Sequence, residues 1–529
     1  MSTVAPPSSA APQPATPKGK GLWRSTLVVS AMTMLSRIAG LVRDMVYLNL
    51  FGANRYMDAF LVAFKIPNFL RRLFAEGAFA QAFVPVLTEV RTQRGDLAVK
   101  DLVDKVAGSL SVVLGGITVI SMAAAPLIIL LFAPGFHQDP LKFELAASML
   151  RLTFPYLLLI SLTAFAGGIL NSYGKFAASA FTPVLMNFTM IGFALWVSPL
   201  MTQPVMALAW GVLVSGAVQL IFQLPSLRQI HMLPRFRLGF KDPDVKRILN
   251  LMIPAMFGVS VSQINLLLDT VLASFLVTGS VSWLYTAERM TELPLGLIGI
   301  AVATVILPSL SEKYAQKSDK EFRSMLDWAL RVIVLVGLPA SIAMGMLAKP
   351  LMAALFLHGK FTVHDVEMSA GALQALSGGI LAFMMIKVFA PGYFSRQDTR
   401  TPVKIGIIAM VANMVFNLML VWHFKHVGLA MASTLSAFLN AGLLYWGLHT
   451  RGVYRLERHW IKVSARYLLA NVVLMAVLLA ITPATVWWFT PQGSWLKVAA
   501  ILGICGAGAL SYFLALLALG FRLQEIRHH

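Results

Sequence analysis

The sequence holds a single cysteine, Cys505, inside an apolar stretch. That excludes a disulfide framework and a cysteine-based metal site. Charge is scarce too: 12% of the 529 residues are Asp, Glu, Lys or Arg, against 58% apolar. A chain of this composition is not a soluble enzyme. It has no glycine-rich phosphate loop with its lysine and no His/Cys/Asp cluster at metal-ligating spacing, so neither an ATPase nor a metal site is expected and no cofactor is implied. Acidic residues are the scarcer charge, 23 against 43 Lys and Arg, for a net charge of +20. The cations fall mainly between apolar stretches and form no stripe with interleaved aromatics, so nucleic acid is not the expected partner.

Long apolar runs are what the chain does have. Fourteen candidate spans fall near residues 25–50, 57–91, 104–134, 146–171, 177–198, 204–226, 246–276, 282–314, 325–356, 367–396, 402–423, 427–449, 465–489 and 497–520. Lipid leaves no partner for open backbone groups, so the expected fold is all-α and polytopic. The first 21 residues, rich in Pro, Ser and Ala, lack an apolar core and read as a cytosolic tail. Cations gather on alternate loops, among them Arg94 and Lys100, Arg235 and Arg237, Lys317 and Lys320, Arg455 and Arg458. The opposite loops hold little beyond Arg55, Lys142, Lys360 and Lys425. This positive-inside bias places both termini in the cytosol. Trp487, Trp488 and Phe489 are expected to anchor the outer end of span thirteen as an aromatic belt.

An internal repeat organises the spans. APLIILLFAPG at 125–135 matches KPLMAALFLHG at 349–359, VPVLTE at 84–89 matches LPSLSE at 307–312, and Phe165-Ala166 matches Phe389-Ala390, at offsets of 223 or 224. Six spans separate the copies, so the halves share one orientation, as in transporters with parallel repeats and a substrate path between lobes. The expected organisation is a tail at 1–21, an N-lobe at 22–226, a linker at 227–245, a C-lobe at 246–449, a linker at 450–464, two added helices at 465–521 and a cytosolic end at 522–529. The two lobes would be related by a parallel pseudo-two-fold.

Charges sit inside these spans. Residues 58–76 alone carry Asp58, Lys65, Arg71, Arg72 and Glu76, with Pro67 and Gly77 as expected helix breaks. Span one adds Ser36, Arg37, Arg43 and Asp44; span eight adds Glu288, Arg289 and Glu292; span ten adds Lys387; Asp269 is an isolated acid in span seven. An ionisable residue within a membrane is a functional candidate by default. Buried ion pairs that only join helices are one reading; a solvated, anion-binding cavity is the other, and it carries more weight. Asp44 and Glu76 are expected to partner neighbouring arginines. Adjacent Arg71 and Arg72 cannot share a helix face, so one is expected to point away. Converging guanidiniums suit phosphate or pyrophosphate, which they bind bidentately at any relevant pH.

SRIAGLVRD at 36–44, DAFLVAFKIPNFLRRLFAEGAFAQAFVPVL at 58–87, SVSWLYTAERMTELPLGLIG at 280–299 and APGYFSRQDTRTPVKI at 390–405 closely resemble the MurJ-type lipid II flippases of Gram-negative bacteria. The resemblance runs over roughly residues 22–527 and places the chain in the multidrug/oligosaccharidyl-lipid/polysaccharide exporter superfamily. It implies transport of undecaprenyl-pyrophosphate-linked disaccharide pentapeptide, lipid II, from the cytosolic to the periplasmic leaflet of the inner membrane by alternating access. Carried over by motif, the essential cavity arginines are Arg37, Arg43, Arg71 and Arg289, the important acid of span two is Asp58, and Ser36, Lys65, Glu76 and Glu292 support them. The resemblance also implies a lipid-tail groove at spans thirteen and fourteen, whereas Asp269 stands where a neutral residue is more usual. The expected partners are lipid II and membrane lipids, with a monomeric carrier reset by the membrane potential or an ion gradient. The alternative is an exporter of another lipid-linked glycan, or of drugs, from the same superfamily.

Overall fold

A computed structural model describes residues 19–73, 79–296, 300–490 and 493–522. The described residues fold into helices and connecting turns. The first half runs α1 (Gly19–Phe51), α2 (Arg55–Arg71), α3 (Ala80–Ala123), α4 (Ala125–Phe132), α5 (Pro140–Thr153), α6 (Tyr156–Ser172), α7 (Phe176–Gly192) and α8 (Met206–Gln229). The second half runs α9 (Pro243–Ser274), α10 (Ser280–Pro294), α11 (Ile300–Ala315), α12 (Asp319–Met346), α13 (Ala348–Phe356), α14 (Val363–Ser377), α15 (Ile380–Phe394) and α16 (Arg400–Thr450). The chain ends with α17 (His459–Ile481), α18 (Thr485–Phe489) and α19 (Ser494–Ala518).

Nine helical segments among the described residues are long and apolar enough to cross a membrane. Several expected spans instead appear as two shorter helices in series. The sequence near 325–356 forms α12 and α13, separated only by Leu347, and the long α3 is followed by α4 after Ala124. Conversely, α16 covers two expected spans and turns at Lys425, whose φ of 53° is left-handed. Pro67 does not break α2: it lies buried inside a helix that continues to Arg71. Gly77 lies outside the described residues. Trp488 is not a surface anchor, since it is fully buried and its indole N–H donates to Pro483 O at 3.2 Å.

In the first half α1 packs on α7, and α7 and α6 pack on α8. In the second, α9, α14 and α15 pack on α16. The pair α17 and α19 pack together and rest on α12 and α13. The halves meet directly at α2–α10, α3–α9 and α1–α13. The end of α1 shows how tightly: Lys360 N donates to Asn49 O at 2.9 Å, and a Cβ at Gly359 would lie 2.3 Å from that same carbonyl oxygen. Only a residue without a side chain permits that approach.

Candidate functional site

A cavity of about 840 Å³ opens between the halves, lined chiefly by α1, α2, α6, α7 and α10. Among the described residues six cations face it, Arg37, Arg43, Lys65, Arg71, Arg72 and Arg289, against two acids, Glu288 and Glu292; Ser36 also lines it. Both Arg71, the last residue of α2, and Arg72 line it.

The buried carboxylate of Asp44 organises this wall. It accepts from Arg43 Nη2 at 2.7 Å and Nε at 3.0 Å, and from Arg289 Nε of the other half at 2.8 Å. Tyr285 adds its hydroxyl at 3.1 Å. An unpaired ion at this depth costs several kcal/mol, roughly 3–5 when one partner of a buried pair is removed, so such sharing is what keeps two arginines in place. Arg43 Nη1 also donates to Asn187 Oδ1 on α7 at 3.0 Å, and Arg289 Nη1 to Glu292 Oε2 at 2.6 Å. Arg37 reaches across to the backbone carbonyl of Glu292 near the end of α10, with Nη1 3.3 Å away, beside the Leu295 N–H that the same carbonyl accepts. Lys65 lies 3.5 Å from Glu288 and 3.4 Å from Thr270 Oγ1, and Arg71 Nε donates to Asn68 Oδ1 at 3.0 Å.

Asp58 lies away from the cavity. It is fully buried, takes Lys142 Nζ at 3.0 Å, and accepts from Gly279 N (2.8 Å), Ser282 N (3.0 Å) and Ser282 Oγ (2.7 Å). The N-cap of α10 is Gly279, which has no side chain to offer, so an acid from α2 caps α10 in trans. Glu76 lies outside the described residues.

The model of the lipid II flippase MurJ family matches residues 48–498. A probable lipid II flippase MurJ of Vibrio cholerae is 48% identical over 521 residues, 96% of this chain and 98% of its own. Among solved structures, a lipid II flippase MurJ in an inward closed conformation superposes with a TM-score of 0.77 at 25% identity, covering 92% of this chain and 98% of that one. A multidrug MATE transporter of the MOP superfamily, inward-facing, shares the fold with a TM-score of 0.66 at 16% identity, covering 81% of this chain and 98% of that one. The chain belongs to the lipid II flippase MurJ family.

That family is one of membrane transporters, so the cavity needs binding groups rather than a nucleophile. Among the described residues no group of three or more His, Cys, Asp or Glu is placed to hold a metal ion. Asp269 is buried and held by neutral groups, Asn417 Nδ2 at 2.7 Å and Ser433 Oγ at 3.4 Å. Lys387 on α15 is within electrostatic reach of Arg37 and Glu292. Asn187 and Tyr285 are among the cavity residues a charge-based reading misses. A neutral Asn or Tyr in an apolar run carries no cost that marks it; only the shared contact with Arg43 does.

Proposed function

We propose that this lipid II flippase carries its substrate from the cytosolic to the periplasmic leaflet of the bacterial inner membrane by alternating access. Arg37, Arg43, Arg71 and Arg289 bind the pyrophosphate, with Ser36, Lys65, Glu76 and Glu292 supporting them. Asp58 acts at a distance, by holding α10 against α2. The observation that carries this reading is six cations against two acids, among the described residues, in one cavity between the halves. A pyrophosphate offers several anionic oxygens, and guanidiniums pair with them two at a time.

The proposed architecture is fourteen spans: an N-lobe at 22–226 and a C-lobe at 246–449 related by a parallel pseudo-two-fold, linkers at 227–245 and 450–464, and a tail groove at 465–521. The tails at 1–21 and 522–529 both lie in the cytosol. In support, α4 and α13 are short helices that each follow a long one after a single-residue break, and they hold the two copies of the sequence repeat. The separate pairing of α17 with α19 suits a groove outside the lobes. The carrier works as a monomer. After release of the anion the empty cavity is positive, and a membrane potential positive outside, or an ion gradient, drives it back inward.

The test is reconstitution in liposomes with fluorescent lipid II, comparing wild type with Arg43→Ala. Wild type is expected to move label across the bilayer, and the variant to do so at least about tenfold more slowly, the loss of charge-assisted bonds to the headgroup. Equal rates would remove Arg43 from the headgroup site.

A further inference from the structure

Arg37 and Arg289 both reach across between the halves, and each lies on a glycine of the opposite half. A Cβ built on Gly296 would come within 2.2 Å of Arg37 Nη1, 2.3 Å of its Cζ and 2.8 Å of its Nε. Three atoms of one guanidinium at such distances mean that the group lies flat across the Gly296 α-carbon. In the other direction, a Cβ on Gly40 would come within 2.8 Å of Arg289 Nη2. Gly40 stands one turn beyond Arg37 on α1, and Gly296 closely follows the end of α10, which carries Arg289. The exchange is reciprocal: α1 sends an arginine onto the segment after α10, and α10 sends one onto α1.

We propose that Gly40 and Gly296 are positioning residues for headgroup capture, bare seats that let Arg289 and Arg37 cross to the opposite half. The proposal rests on the headgroup reading of the arginines given above. Glycines in membrane helices commonly serve close backbone packing, in which case the nearest atoms would be backbone atoms of a facing helix. Here all three nearest atoms at Gly296 belong to Arg37, and at Gly40 the next nearest are Asn187 side-chain atoms at an ordinary 3.8 Å. The obstacle to a methyl group is therefore the end of a long, adaptable side chain. Alanine leaves the backbone undisturbed and displaces the guanidinium instead.

Displacement matters because each crossing arginine is held at its far end. Arg37 keeps a single 3.3 Å bond to Glu292 O, and Arg289 bridges Asp44 and Glu292. Pushing Arg37 off Gly296 breaks its bond to Glu292 O and shifts its charge from the place it holds in the cavity wall. Misplacement of a binding group by about 1 Å can reduce transport or binding by an order of magnitude or more.

The experiment is a double-mutant cycle on the full chain in detergent, with undecaprenyl pyrophosphate as the probe and thermal unfolding measured in parallel. Gly296→Ala is expected to weaken probe binding roughly tenfold, the loss of one charge-assisted bond. Arg37→Ala is expected to do the same, and the double variant to bind no worse than Arg37→Ala alone, since the methyl then meets nothing. Full affinity in Gly296→Ala, or a further loss in the double variant, overturns the seat. If Arg37→Ala itself binds like wild type, the headgroup reading of Arg37 fails, and the melting temperatures decide the seat separately. A melting penalty for Gly296→Ala that vanishes in the Arg37→Ala background upholds it, and one that persists overturns it. The Gly40–Arg289 pair is tested by the same cycle.

Discussion

Asp44 Oδ2 accepts a 2.8 Å hydrogen bond from Arg289 Nε across the boundary between the halves, while its Oδ1 holds Arg43 of its own helix. One buried carboxylate thus keeps two arginines close to each other. Asp44→Ala leaves Arg43 facing Arg289 without its anion, and Arg289 with Glu292 alone, and the expected loss is about 3–5 kcal/mol of stability. Chemical unfolding in detergent measures it. Adding Arg289→Ala removes the repulsion and is expected to restore part of the loss; a strictly additive double variant would show that the three groups are not coupled.

Arg37→Lys preserves charge and loses the planar fork. Flux of fluorescent lipid II in liposomes is expected to fall roughly tenfold, with protein abundance unchanged. Wild-type flux would mean that a point charge suffices at this position and that bidentate geometry plays no part.

Asp58→Asn tests the cap that α2 gives to α10. The amide oxygen can still accept from Ser282, but Lys142 is left buried without its anion. The expected cost is about 3 kcal/mol, read as a lower melting temperature. Lys142→Met in the same chain removes the stranded cation and is expected to recover most of that loss.

Most of the charged site was legible because ions in apolar spans need a reason to be there. Arg37, Arg43, Lys65, Arg71, Arg289 and Glu292, picked out on that ground, all line one cavity. Asp58 was equally visible as an ion, yet two of its partners are backbone N–H groups, at Gly279 and Ser282, and no side-chain pattern advertises a backbone donor 221 residues away. Helix breaks were read less well. Pro67 was expected to interrupt its helix, but a buried proline can stay helical where neighbouring groups satisfy the freed carbonyl. The glycines at 40 and 296 had no distinguishing neighbours in sequence, because what makes each one matter lies in the other half.

Outside the spans, pH enters through Asp398, in the turn between α15 and α16. The Thr401 hydroxyl at 2.7 Å, its amide at 3.0 Å and Arg451 hold the carboxyl at about 2, below the ordinary 3.8. A folded-state value below the unfolded one adds stability that is complete above the ordinary value and fades as pH falls toward the lower one. The stability gap between wild type and Asp398→Asn is therefore expected to be constant near pH 6 and to shrink from about pH 4 down to pH 2. A gap unchanged at pH 2.5 would mean that the carboxylate's charge contributes nothing there.

Because α10 has a glycine at its own N-cap, its first turn is complete only while Asp58 is in place. A helix that borrows its cap from another part of the molecule loses it whenever the two separate. Caps are worth about 1 kcal/mol, so parting α2 from α10 shifts the balance of conformers by roughly fivefold against the parted form before any substrate binds. A carrier built this way favours, by that margin, the conformers that keep α2 and α10 together. Any conformer that parts α2 from α10 has to make up that difference from contacts elsewhere.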